Sequence, residues 1–115
     1  MTLIDRLSKL DGPDREEDAE IAKSVGGLKA NREFGMGGNW WDRWTDGGLT
    51  VGLPAYTASV DAAIALAERV QPYSIMVLFN DAFIWLHARY RPENHSKMLP
   101  IALCTALLRA REVNR

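Results

Sequence analysis

The stretch Ile101–Leu108 constrains this chain more than any other. Ile101, Ala102, Leu103, Cys104, Ala106, Leu107 and Leu108 surround nearly the whole circumference of a helix expected over Leu99–Glu112, with Thr105 as the polar interruption. A helix that is apolar all round has no face to give to water and must be buried all round. It is therefore either the central helix of the core or part of an oligomer interface. The chain has 115 residues, room for one domain over 1–115 and for a core without staples. A formal net charge of −1 lacks the basic footprint of a dedicated nucleic-acid binder. The single cysteine rules out an internal disulfide and a multi-thiolate zinc site. No apolar run approaches the length of a membrane span and no basic segment precedes a signal-type apolar one, so a cytoplasmic location is expected.

Further helices follow from spacing and caps. Leu3, Ile4, Leu7 and Leu10 recur on one face of a helix over Thr2–Leu10, which Thr2 can cap and Asp11-Gly12 ends. Pro13 suits the first turn of a second helix reaching about Ser24, ended by Gly26-Gly27. Six acids and one arginine fall within Asp11–Glu20, which reads as a solvated face whose acids meet the positive end of the helix dipole. Ser59 caps a helix over Val60–Val70.

Between these helices, residues 28–52 are rich in glycine and tryptophan. Trp40, Trp41 and Trp44 are interleaved with Asn39, Asp42 and Arg43 and flanked by Gly37-Gly38 and Gly47-Gly48. Glycine pairs mark turns, so this segment should form a hairpin or ordered loop with short strands near Trp40–Trp44 and Leu49–Val51. Two more strands are expected at Tyr73–Phe79 and Phe83–Tyr90, because both are rich in β-branched and aromatic residues and Asn80-Asp81 between them is turn chemistry. Both faces of that pair would be largely apolar, so both should be covered, by helices on each side or by dimer burial of one face. The expected fold class is α+β, an α/β/α sandwich around a small antiparallel sheet.

Catalytic patterns are missing. His87 and His95 are too far apart in sequence for a helical ligand pair, and Cys104 sits where a small hydrophobe belongs. Gly35-Met36-Gly37-Gly38 is followed by no Lys-Ser/Thr and is no phosphate loop. No enzyme and no cofactor are expected. Binding chemistry is better represented. Trp40, Trp41, Arg43 and Trp44 are hot-spot residue types, although the plainer reading is that two of the three tryptophans pack beneath the sheet as satellite core. Phe83, Trp85, His87 and Arg89 would alternate onto one strand face, followed by Arg91. That stripe offers donors to an anionic or aromatic ligand, or else lies under a helix.

The segment Leu53-Pro54-Ala55-Tyr56-Thr57-Ala58-Ser59-Val60-Asp61-Ala62-Ala63-Ile64-Ala65-Leu66 resembles the Tyr-Thr-x-Ser-hydrophobic-Asp-Ala-Ala segment of small proteins carrying the phage ABA-sandwich domain. Leu99–Ala110 resembles the closing helix of that family, and Leu3–Leu10 with Gly12–Glu16 is similar to its opening. Leu99 departs from the Thr or Ser that family members tend to carry there, and residues 28–52 match no part of the pattern. The resemblance implies a phage or prophage product acting inside a bacterial cell, and it brings no catalytic residues.

Three functions compete on these grounds. The first is a homo-oligomeric phage accessory (anti-defence) protein that sequesters a small ligand, such as a nucleotide immune signal, with Trp40, Trp41, Arg43, Trp44, His87, Arg89 and Arg91 as the ligand-binding residues. The second is an inhibitor that binds a host defence protein through an acidic face at Asp14–Glu20. The third is a structural or assembly protein of the phage. An enzyme that degrades such a signal would reveal itself by turnover.

Overall fold

The computed structural model describes residues 2–72 and 75–113. Its elements run α1 (Leu3–Ser8), α2 (Arg15–Ser24), β1 (Lys29–Phe34), β2 (Trp40–Asp46), β3 (Leu49–Val51), α3 (Val60–Val70), α4 (Ile75–Arg89) and α5 (His95–Val113), with a short 3-10 turn at Pro92–Asn94 before α5. This is an α+β fold, as expected, with a small antiparallel sheet in the order β1-β2-β3.

Local chemistry sets most element ends. Thr2 and Asp5 form a reciprocal capping box on α1, each side chain accepting the other's backbone N–H at 3.2 Å. Asp14 caps α2 by accepting the amides of Glu16 and Glu17, which leaves Pro13 just before the cap and not in the first turn. Ser59 caps α3 through the Ala62 amide. The β2–β3 connection is the pair Gly47-Gly48, with φ of +59° and +91°. Both values are positive, as a two-residue hairpin turn matching the strand twist requires, and glycine alone adopts them without cost.

The strands expected at Tyr73–Phe79 and Phe83–Tyr90 are instead the single helix α4, with Tyr73 and Ser74 lying outside the described residues. The physical reason is the spacing of what is buried: Leu78, Ala82 and Leu86, four apart, are the buried residues of α4. That is a helical stripe, and α4 lays it along α5. Asn80 and Asp81 sit mid-helix, where turn-forming residues are tolerated on the solvent side. The polar loop expected at Arg91–Lys97 is the 3-10 turn followed by the first turn of α5, which begins four residues earlier than Leu99.

Helix α5 is the centre of the molecule. Every residue from Pro100 to Leu108 is buried, and α1, α3 and α4 pack around it. Contact with several helices is how an all-apolar circumference is satisfied within one chain. The helices meet the sheet at its base, where Leu28 and Trp44 enter the core and the Lys23 ammonium of α2 lies 6.0 Å from the Trp44 ring. The β1–β2 hairpin then runs outward, and the molecule measures 47 × 29 × 26 Å.

Two polar fastenings join non-local parts. Arg69 of α3 donates two 3.0 Å hydrogen bonds to the Asp46 carboxylate at the end of β2. This bond holds the Asp46 carboxyl below the usual carboxylate range. A lowered carboxylate pKa contributes stability that is present above the unfolded pKa and lost as pH falls through the folded one. Hydrogen exchange in β2 and β3 should therefore speed up as pH drops below about 4, relative to exchange in α5, and Arg69→Gln should remove that dependence.

The second fastening ties α2 to the loop before α3. Asp18 is wholly buried. Its Oδ1 accepts the Thr57 amide at 2.7 Å and the Thr57 hydroxyl at 2.8 Å, while Oδ2 accepts from Arg15 at 3.1 Å. Thr57 Oγ1 in turn accepts the Asp14 amide at 2.9 Å. The acidic run is thus largely consumed inside the fold: Asp14 caps, Asp18 clasps, and the buried Glu17 faces Arg6 at 3.5 Å. The expectation of a solvated acidic face holds for the exposed Glu16 but not for Glu17 or Asp18.

Candidate functional site

A trough of about 570 Å³ lies between α4 and α5. On α4, Val77, Asp81, Ile84 and Ala88 follow one another at four-, three- and four-residue steps and form one wall, with Leu78 and Trp85 beside them. On α5, Ala102, Ala106 and Ala110 are four apart and form a shallow floor, with Thr105 and Arg109 along it. Small side chains on one helix facing a bulkier ridge on its neighbour leave the space open. The walls are apolar and unusually exposed for their type, Val77 at 60% and Ile84 at 62%.

Two opposite charges punctuate the trough. Asp81 and Arg109 are both exposed, and neither belongs to an ion pair among the described residues. The Thr105 hydroxyl donates to the Ile101 carbonyl at 2.8 Å, so only its acceptor capacity is free. A volume in the range of ordinary ligand pockets, apolar walls and a few polar groups make a binding site by general criteria.

The residues singled out from the sequence do not converge on one place. Consecutive strand residues point to opposite faces, so Trp40 and Trp41 are separated by the sheet itself. Trp40 stacks edge-on against Phe34 at 5.2 Å with the Arg32 guanidinium 5.9 Å from its ring. Trp41 shares its face with Arg43, which forms an ion pair with Glu33 at 2.9 Å. Trp44 is core. The alternating stripe Phe83–Trp85–His87–Arg89 does not exist on a helix, where residues four apart share a face. Arg89 instead lies over Trp85 at 5.1 Å and donates to the Ser8 carbonyl at 3.1 Å. Arg91 is exposed at the start of the 3-10 turn.

His87 and His95 do come together, with ring centroids 4.7 Å apart. His87 Nδ1 lies 2.8 Å from the Phe83 carbonyl and His95 Nε2 lies 3.0 Å from the Tyr90 carbonyl. A carbonyl only accepts, so both contacting nitrogens carry the proton. Among the described residues no group of three or more His, Cys, Asp or Glu side chains could hold a metal ion.

Cys104 has neither access nor activation. Its thiol is buried beneath Tyr56, donating weakly to that residue's carbonyl at 3.6 Å, and burial pushes its pKa up to about 12. In the folded protein it should resist iodoacetamide at pH 8 for hours, and it should react within minutes once the chain is unfolded in denaturant. Mass spectrometry of the alkylated chain reads both states.

The sequence reasoning missed the trough. Its signal was present in the alanines at 102, 106 and 110, but a helix apolar all round hides which of its faces is left without a neighbour. Compared with protein-family models, curated proteins and solved structures, the chain matches none. Among the described residues no helix is long and apolar enough to cross a membrane.

Proposed function

We propose that this chain is a non-catalytic binding protein that takes up a small ligand in the α4–α5 trough and acts by holding it. The observation that carries this reading is the trough itself: about 570 Å³ between apolar walls, with Asp81 and Arg109 in no ion pair among the described residues. A ligand with a flat or apolar body and one anionic group fits that lining. Its body would lie against Val77, Ile84 and Trp85, its anion would meet Arg109, and its hydroxyl or amine donors would meet Asp81. Nucleotide-type molecules have this chemistry. The resemblance to phage ABA-sandwich proteins gives such a protein a setting, in which a phage or prophage product withdraws a nucleotide signal from a bacterial defence system.

The competing reading, an inhibitor that docks on a host protein through Asp14–Glu20, loses support from the burial of Asp18 and Glu17 in internal bonds.

Native mass spectrometry tests the ligand reading. The full chain is measured before and after exposure to the low-molecular-weight fraction of bacterial lysate, and then with a panel of mononucleotides. Wild type should gain a discrete mass of several hundred daltons per chain, and Arg109→Glu and Ile84→Glu should each abolish the gain. Both positions are exposed, so the fold should tolerate these changes within about 0.5 kcal/mol. Absence of any adduct, or an adduct that both variants retain, overturns the reading.

A further inference from the structure

The outer edge of β1 is open. In the order β1-β2-β3 it has a neighbouring strand on one side only, and among the described residues no backbone group of Lys29–Phe34 bonds outside the β1–β2 ladder. Such an edge is a template for another strand. The same hairpin carries exposed aromatic surface at its far end. Phe34 is 62% and Trp40 59% exposed. They lie on the sheet face that, at its base, packs Trp44 against α2.

We propose that the chain forms a two-fold symmetric dimer in which β1 pairs antiparallel with β1 of a second copy, centred on Asn31. This occupant is argued from charge. With Asn31 facing its own copy, Lys29 stands directly opposite the partner's Glu33, and symmetry makes that opposite-charge pair twice. Neighbouring registers are worse. Centring on Arg32 sets two guanidinium groups against each other, centring on Glu33 sets two carboxylates, and centring on Ala30 loses both pairs and shortens the ladder. Lys29 is in no ion pair within its own chain among the described residues, and Glu33 keeps Arg43 on its inner side at 2.9 Å.

The register also accounts for the exposed rings. Antiparallel pairing carries the tip of each hairpin back along the partner's β1, towards the partner's helices. Phe34 then comes level with the partner's Leu28, on the face where that body lies, and Phe34 and Trp40 are covered. Two three-stranded sheets become one of six strands with no β1 edge.

Sedimentation velocity of the full chain over a range of micromolar concentrations reads the assembly. Wild type should sediment as a dimer. Lys29→Glu and Glu33→Lys should each weaken dimerisation by about tenfold or more, since each sets like charges opposite one another, and a mixture of the two variants should restore a dimer of one copy of each. Asn31→Cys should form a covalent dimer on mild oxidation, because directly opposed strand residues lie within disulfide reach. Thr50→Cys on β3 should not, and Cys104 is buried. A monomer at every concentration overturns the proposal. So does a dimer indifferent to Lys29→Glu, a mixture that stays monomeric, or a dimer dissolved by Ile84→Glu, which would place the second copy in the α4–α5 trough.

Discussion

Asp18→Ala should lower the free energy of unfolding by about 3 kcal/mol, measured by urea denaturation followed through tryptophan fluorescence. The side chain is wholly buried and accepts three hydrogen bonds, two of them from Thr57. Removing it strands the Thr57 amide in a place water does not reach and takes an acceptor from Arg15, while the Thr57 hydroxyl keeps the Asp14 carbonyl at 3.2 Å; an unsatisfied buried group costs about 1–3 kcal/mol. The shortfall is greater than the net worth of the bonds, because the partners left behind bear the desolvation cost. Asp18→Asn keeps an acceptor for Thr57 and should lose only about 1 kcal/mol. Thr57→Val removes the hydroxyl from the other side, and combined with Asp18→Ala it should cost less than the sum of the two single changes. A loss under about 0.5 kcal/mol for Asp18→Ala would mean that the clasp does not hold α2 to the loop before α3.

Ala82→Pro should cost at least 3 kcal/mol and reduce the helical circular dichroism at 222 nm. Ala82 is the middle of the three buried α4 residues, wholly covered by its neighbours. Proline there removes the bond to the Leu78 carbonyl and drives its ring into that turn. Ala82→Gly, which keeps the N–H, should cost about 1 kcal/mol. The same substitution separates two structures for this segment. In a hairpin turning at Asn80-Asp81, proline at 82 would open the second strand and remove only the bond that closes the turn, so an unchanged 222 nm signal with a small shift of the midpoint would return the segment to strands.

That segment also shows where local pattern stops being informative. Ile75, Val77, Phe79, Phe83, Ile84, Trp85 and Tyr90 are residues that favour strands, and an apolar run of this length carries no period that separates a strand from a buried helix. The stripe Leu78–Ala82–Leu86 was visible in principle, but the apolar residues on the other faces masked it. Contact with α5 decides between the two, and that contact is a property of the folded chain.

The candidate site was legible only in part. Residue types suited to binding were recognised in Trp40, Trp41, Arg43 and Trp44, yet the alternation of a strand sends Trp40 and Trp41 to opposite faces and the core claims Trp44. Arg43 is held by Glu33 and Arg89 by the Ser8 carbonyl. The trough depends on how α4 and α5 cross, so its charged residues Asp81 and Arg109, 28 positions apart, had nothing in sequence to connect them.

By itself the sequence determined what is local. Thr2, Asp14 and Ser59 cap helices because a short side-chain oxygen beside a free amide needs nothing further away. Gly47-Gly48 turns a hairpin because glycine meets two successive positive φ values without steric cost. Ile101–Leu108 had to be buried all round because it has no polar face. The tertiary structure alone decided that Asp18 leaves a solvated acidic run to clasp Thr57, that α4 is a helix, and that a trough opens beside the alanines of α5. Each of these rests on contact between residues distant in sequence, and a chain's local preferences carry no record of which partner the folded state will bring to them.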